Sequence, residues 1–161
     1  QNNFIGSLPQ SNQPQNSWAA FYASERLQPL LKKCMDRGLL SNGMMKNSEH
    51  LMAKLPDIFP EEKPALLHGD LWGGNYLPGP GGVPYVFDPA VYYGNREMDL
   101  AMTRLFGGFD RKFYWHYEEY FPLAPGWQER ISVCQLYPLL VHALLFGGGY
   151  VQQVRNTLSV Y

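Results

Sequence analysis

The chain has 161 residues, 45% of them hydrophobic and 17% charged, with a formal net charge of −1. That is enough apolar sequence to bury one real core, and a charge this near zero argues against a nucleic-acid surface. Two cysteines, Cys34 and Cys134, are too few for a disulfide framework and have no metal-ligand spacing with the histidines, so reduced, buried thiols and a cytoplasmic location are expected.

The first residues, Gln1-Asn-Asn-Phe-Ile-Gly6, carry neither a basic nor an apolar leader region. The longest apolar run, Leu139 to Phe146 broken by His142, is far too short to cross a bilayer, so no membrane partner is expected. One domain spanning 1–161 is expected, and the missing initiator Met suggests a piece of something longer.

Gln1 to Asn16 is polar and reads as an extended lead-in. Ser17 is placed to cap a helix from Trp18 to about Arg37, with Leu27, Leu30, Leu31 and Cys34 on one face, a kink at Pro29 and a stop at Gly38. A short helix is predicted from Ser48 to Leu55, stopping before Pro56, and Ala65 to His68 reads as a short strand. Gly79-Pro-Gly-Gly82 separates two further short strands, Asn75 to Leu77 and Tyr85 to Asp88, as the turn of a hairpin.

The second half is predicted helical. Met98, Ala101, Met102, Leu105 and Phe106 recur at helical spacing and are stopped by Gly107-Gly108. Asp110 is placed to cap a helix whose Phe113, Tyr117, Tyr120 and Phe121 read as core aromatics. Trp127 to Phe146 reads as a helix bent at Pro138, and Tyr150 to Tyr161 as a last helix with Val151, Val154 and Leu158 inward. The fold class is mainly α with a small β-hairpin.

One stretch describes a reaction. In His68-Gly-Asp-Leu-Trp-Gly-Gly-Asn75, followed by Tyr85-Val-Phe-Asp88-Pro, an Asp lies two residues after a His, an Asn five after that Asp, and a second Asp closes a strand. A phosphoryl-transfer loop has this layout, because such a reaction needs positioning and charge neutralisation more than covalent chemistry. Asp70 is the candidate general base for an attacking hydroxyl. Asn75 and Asp88 offer the hard oxygens that Mg2+ takes beside phosphate oxygens, and are the candidate metal ligands. His68 reads as ordering the loop by hydrogen bonding rather than reacting.

Three glycine clusters match neither G-x-x-x-x-G-K-[ST] nor G-x-G-x-x-G after a strand, so turns or close packing are their expected use. A nucleotide kinase also needs a glycine-rich hairpin and a strand lysine around the triphosphate. Nothing before His68 reads that way, so the nucleotide-covering lobe is expected to lie outside this chain, and the 161 residues alone are expected to be inactive.

Seven runs carry a resemblance: Phe4-Ile-Gly6, Pro9-Gln-Ser-Asn12, Leu67 to Asn75, Phe87-Asp-Pro-Ala-Val-Tyr-Tyr-Gly94, Glu97-Met-Asp-Leu-Ala-Met102, Leu105-Phe-Gly-Gly-Phe109 and Phe146-Gly-Gly-Gly-Tyr150. Together they resemble the fructosamine kinase (ketosamine 3-kinase) family, which is similar to aminoglycoside phosphotransferases and more distantly to protein kinases. The resemblance implies the C-terminal lobe of a protein kinase-like α+β fold. It further implies ATP and Mg2+ as cofactors and phosphorylation of the 3-hydroxyl of ketosamines, either small molecules or glycated proteins, as deglycation repair. By the same resemblance Asp70 is the base, Asn75 and Asp88 hold metal, Trp72 lines the sugar site with an apolar face, and the missing N-terminal lobe is the partner.

His142 stands where the family tends to have an Asn-His pair near the sugar pocket, with Val141 and Leu144 where asparagines are expected. Asp99 has two readings: by resemblance the Asp that braces the catalytic loop, or simply an acid in a helix's first turn. Pro89-Ala90 follows Asp88 where protein kinases have Phe-Gly, so no swinging Phe is implied. A non-catalytic kinase-like binding module and an aminoglycoside- or choline-type phosphotransferase are the alternatives. The loop containing Trp72 and the Asp88-Pro-Ala-Val-Tyr-Tyr93 run speak against the latter.

Overall fold

The computed structural model describes all residues, 1–161, as two compact units, one of residues 1–62 with 135–161 and the other of residues 63–134. No helix is long and apolar enough to cross a membrane.

In the first unit the polar lead-in is a hairpin rather than a plain extended segment. Strands β1 (Asn3–Ile5) and β2 (Leu8–Gln10) pair antiparallel, with Asn3 opposite Gln10 and Ile5 opposite Leu8. Side-chain amides explain the difference. Gln10 Nε2 donates to Asn3 Oδ1 at 2.8 Å, Asn12 Nδ2 to Asn3 Oδ1 at 3.2 Å, and the Tyr137 hydroxyl to Gln10 Oε1 at 2.5 Å. Fully buried Arg26 donates to the Ser11 carbonyl and to Asn12 Oδ1, both at 2.6 Å. Residues that look like a solvated tail therefore form a hydrogen-bonded, partly buried polar network.

Ser17 caps the first helix by accepting from the Ala20 amide at 3.1 Å. The helical stretch runs as α1 (Trp18–Phe21), a π-helical segment (Tyr22–Leu27) and α2 (Gln28–Asp36). The expected irregularity therefore sits one turn ahead of Pro29. Proline has no N–H for the Glu25 carbonyl and its ring crowds that position, and the backbone widens there, Gln28 N–H bonding the Ala23 carbonyl five residues back.

The next helix is longer than the predicted Ser48 to Leu55: α3 covers Asn42–Ile58, starts at a Ser41 cap that accepts from the Met44 amide, and runs through Pro56. The Phe59 amide still closes on the Leu55 carbonyl, so Pro56 removes one bond from the last turn without ending it. Trp18, Tyr22 and Phe59 pack ring to ring at 5.4–5.9 Å. The C-terminal part of α6 (Trp127–Phe146) and α7 (Gly149–Leu158) complete this unit, and α3 packs against α1, α2 and α7. Its core holds Leu27, Leu31, Leu51, Leu55, Leu136, Leu140, Val154 and Leu158.

The second unit is built on two short antiparallel ladders. Strand β3 (Ala65–Leu67) pairs with β6 (Tyr92–Gly94), a partner that the sequence did not announce, with Leu67 opposite Tyr92. Strands β4 (Tyr76–Pro78) and β5 (Pro84–Val86) form the expected hairpin, its tip a 3-10 turn over Pro80–Gly82. Helix α4 (Glu97–Leu105) follows, its first amide accepted by the Asn95 side chain, and buries Met98, Leu100, Ala101 and Met102.

Asp110 caps α5 (Arg111–Tyr120), accepting from the Lys112 and Phe113 amides. The aromatic stripe of α5 is not core, however. None of its residues is fully buried, Tyr120 is 90% exposed, and Phe113, His116, Tyr117, Tyr120 and Phe121 line an open cleft of about 410 Å³. Helical spacing had identified the face correctly and its covering wrongly.

A buried ion pair holds this unit together. Arg130 grips Glu97 through Nε at 2.8 Å and Nη2 at 2.6 Å, and also reaches the Ala124 and Pro125 carbonyls. The Glu97 hydrogen bond raises the guanidinium's pKa further. Removing one partner leaves a desolvated charge behind, so Glu97→Ala in the full-length protein is expected to lower the unfolding free energy by about 3–5 kcal/mol. Urea unfolding checks this, and a loss under about 1 kcal/mol would show the pair to be dispensable.

Candidate active site

The site is assembled by backbone that sequence-distant groups hold in place. β3 delivers the chain to His68, whose carbonyl accepts the Ala90 amide at 2.9 Å. Gly69 lies at φ +80°, and a Cβ there would overlap the Ala90 carbonyl oxygen, so glycine is required on both conformational and steric grounds. The Asp99 carboxylate takes the next two amides, His68 N–H at 2.8 Å and Gly69 N–H at 2.9 Å. Burial pushes the Asp99 carboxyl above the usual carboxylate range, while these two donors pull it the other way. Asp99 lies in the first turn of α4 and its carboxylate binds the loop backbone.

The His68 ring is committed to backbone on both sides. Nε2 lies 3.0 Å from the Phe87 carbonyl, which can only accept, and the Asp70 amide donates to Nδ1 at 3.3 Å. Both bonds fit the neutral ring with its proton on Nε2. The ring thus spans from the residue before Asp88 to the backbone of Asp70.

Asp70 is half-buried, and Asn75, at the end of a 3-10 turn over Gly73–Asn75, is buried beside it. The Asn75 Nδ2 donates to the Asp70 carbonyl at 2.9 Å and to its Oδ2 at 3.2 Å. Since the amide nitrogen is spent on Asp70, the Oδ1 is the atom that Asn75 can offer to a cation. The Asn75 carbonyl accepts the Phe87 amide at 3.2 Å, setting Asn75 and Asp88 at the open end of the β4–β5 hairpin. Asp88 is exposed and has φ +54°, the one non-glycine residue with positive φ. Such a backbone is disfavoured by about 1–3 kcal/mol, and outliers of this kind cluster at functional sites.

Oxygen donors of this type suit Mg2+. No group of three or more His, Cys, Asp or Glu side chains converges, so a cation between Asn75 and Asp88 would take its remaining ligands from phosphate and water, as Mg2+ characteristically does. The donor set fits.

Trp72 is 38% exposed and meets Phe106 edge-on, with ring centroids 6.0 Å apart. His142 belongs to the other unit, where its Nδ1 donates to the Pro138 carbonyl at 2.8 Å and its ring packs by Phe146 and Tyr150. Val141 and Leu144, in place of asparagines, are core residues there. Hydrogen bonds thus tie the loop carrying His68, Asp70, Trp72 and Asn75 to Phe87, the neighbour of Asp88, and to Asp99 on α4. Both cysteines are buried and free, and burial raises each thiol, Cys34 to about 11, which leaves neither as a nucleophile at neutral pH. Phe106 and Ala90 are contributors that sequence reading did not single out; small Ala90 beside Pro89 was the available signal for a close backbone approach.

Known proteins match nearly the whole length of this chain. A ketosamine-3-kinase of Mus musculus is 43% identical over 151 residues, covering 90% of this chain and 47% of that protein. A probable ketoamine kinase of Lactiplantibacillus plantarum is 45% identical over 158 residues, covering 97% of this chain and 56% of its own length. The crystal structure of a candidate fructosamine-3-kinase from Thermobifida fusca superposes with a TM-score of 0.91 at 42% identity, covering 98% of this chain and 55% of the other. The chain thus spans about half the length of the relatives it matches. The fructosamine kinase profile matches residues 1–161, and the chain belongs to that family.

Proposed function

We propose that the protein containing this chain is an ATP-dependent kinase that phosphorylates the 3-hydroxyl of ketosamines, sugar adducts of amines in small molecules or proteins, as a deglycation step. The observation that carries this reading is the pinning of Asn75 to Asp70 on one side and to Phe87, the neighbour of Asp88, on the other. It supports reading Asp70 as the proton acceptor and the Asn75 and Asp88 oxygens as the metal-binding pair. The family supports ketosamines as the substrate class.

In this mechanism the Asp70 carboxylate orients the substrate hydroxyl and takes its proton as the oxygen attacks the γ-phosphorus and ADP departs. Asn75 holds that carboxylate in place with its amide. Bound Mg2+, held by Asn75 Oδ1 and the Asp88 carboxylate, would neutralise charge on the transferring phosphoryl group. Asp99 keeps the loop backbone fixed through the His68 and Gly69 amides. Trp72 offers the sugar carbons an apolar plane.

The assay that tests this compares kcat/KM for a ribulosamine, a fructosamine, kanamycin and choline at fixed ATP and Mg2+, for the full-length protein and its Trp72→Ala variant. The ketosamines are expected to win, since polycationic aminoglycosides call for an acidic cluster and the sequence carries none beside the loop. Trp72→Ala is expected to reduce ketosamine kcat/KM by about tenfold or more. A win for kanamycin or choline, or no effect of the variant, sinks the substrate assignment.

A further inference from the structure

Helix α4 touches the candidate loop at both of its ends. At the first turn Asp99 binds the His68 and Gly69 amides. Seven residues on, about 10 Å along the axis, the chain leaves the helix at Phe106 and turns back over the same loop. There, Gly107 and Gly108 have φ of +72° and +101°, and the Gly108 backbone lies so close to Gly73 that a Cβ on Gly108 would stand 2.6 Å from the Gly73 Cα. A Cβ on Gly73 would meet the Gly108 Cα at 3.0 Å and the Gly107 carbonyl oxygen at 3.1 Å. This is backbone against backbone, with no flexible side chain to give way.

That contact fixes the surroundings of Trp72. Its benzo ring lies over Gly74, where any Cβ would overlap it, and Phe106 meets the indole edge-on, with 69° between the planes. Trp72 itself has extended backbone, φ −137° and ψ 170°. The indole can thus be re-aimed by its side-chain torsions while Asp70 stays held by Asn75.

We propose that Phe106 and Gly108 are specificity-setting positioning residues: they fix the Trp72 indole plane against which the sugar carbons of a ketosamine lie, and they act separately from the Asp99 end of α4, which orders Asp70. This rests on the ketosamine kinase reading given above. The two ends of one helix then govern different kinetic parameters. The Phe106 end sets how well the sugar is held, and the Asp99 end sets the chemical step.

The test uses the full-length protein with a fructosamine and ATP·Mg2+. Gly108→Ala is strained at φ +101° and risks misfolding, so Phe106→Leu, which keeps apolar volume and removes the ring edge, is the principal variant. It is expected to raise ketosamine KM about two- to tenfold, the range an aromatic pair of this kind accounts for, with kcat and the KM for ATP unchanged within about twofold. In a Trp72→Ala background the same substitution is expected to add nothing, since the proposed effect of Phe106 on the sugar runs through the indole. Asp99→Asn, which sets an amide donor against a backbone donor, is expected to lower kcat about 10- to 100-fold with little change in ketosamine KM. The inference is overturned if Phe106→Leu leaves KM within twofold, lowers kcat instead, or has the same effect with and without Trp72. If the parent protein turns over no ketosamine, the functional reading fails and takes this inference with it; if it does and Phe106→Leu is inert, this inference alone falls.

Discussion

Asparagine in place of Asp70 in the full-length protein is expected to cut kcat by about 10²- to 10⁴-fold while ATP binding stays near that of the parent. The substitution preserves shape and keeps an oxygen to accept the Asn75 amide, so the loop geometry survives. What it removes is a group able to take the hydroxyl proton. Asp88→Asn has a different expected signature. Asparagine tolerates the left-handed backbone at φ +54°, so the chain keeps its path, but the lost charge weakens Mg2+-dependent nucleotide binding along with turnover. Steady-state kinetics combined with calorimetric titration of ATP at several Mg2+ concentrations separates the two. A kcat within a few-fold of the parent for Asp70→Asn would end its assignment as base.

Legibility in the sequence followed the range of the interaction involved. Ser17 and Asp110 were readable as caps because a cap joins residues two or three apart. Ser41 caps α3 by the same rule, ahead of the predicted Ser48 start, and the helix that it opens is anchored by buried Ser48, Leu51 and Leu55. The β3–β6 ladder was invisible for the opposite reason. Three-residue strands separated by 24 residues leave no alternation to detect, and their pairing depends on the loop between them folding back. The α5 stripe shows what periodicity cannot tell: a repeat at 3.6 residues marks an apolar face, whereas burial of that face depends on a neighbour.

The candidate site divides along the same line. Asp70, Asn75 and Asp88 were legible because chemistry dictates which residue types must occur at short spacing on a loop and a strand end. Their restraint was not. That Asp99 braces the loop was implied only by resemblance, its bonds to the His68 and Gly69 amides 31 and 30 residues back came from the structure, and that Gly108 packs on Gly73 could not be separated from an ordinary helix stop. Both are backbone contacts, for which side-chain identity is a poor signal: a glycine says only that something stands close or that φ is positive.

The 161 residues on their own are expected to show no ketosamine-dependent ATP turnover. Their first 62 residues form a two-stranded hairpin and helices, and the glycine-rich turns elsewhere carry no lysine or serine at phosphate-loop spacing. The β- and γ-phosphates therefore have Asn75 and Asp88, through a cation, as their one proposed hold within the chain. A cation bridged by two protein oxygens does not keep the γ-phosphorus in line with a hydroxyl at Asp70, and alignment supplies about 7–11 kcal/mol of the barrier reduction. Losing most of that is a rate loss of at least about 10⁵-fold, below detection in a coupled ADP assay. The informative comparison sets the purified chain beside the full-length protein at equal concentration, with ketosamine and ATP·Mg2+ in excess. Measurable turnover by the chain alone would mean that a phosphate-holding group exists among Gln1–Tyr161, and that positioning, rather than the Asp70 base, has been misassigned.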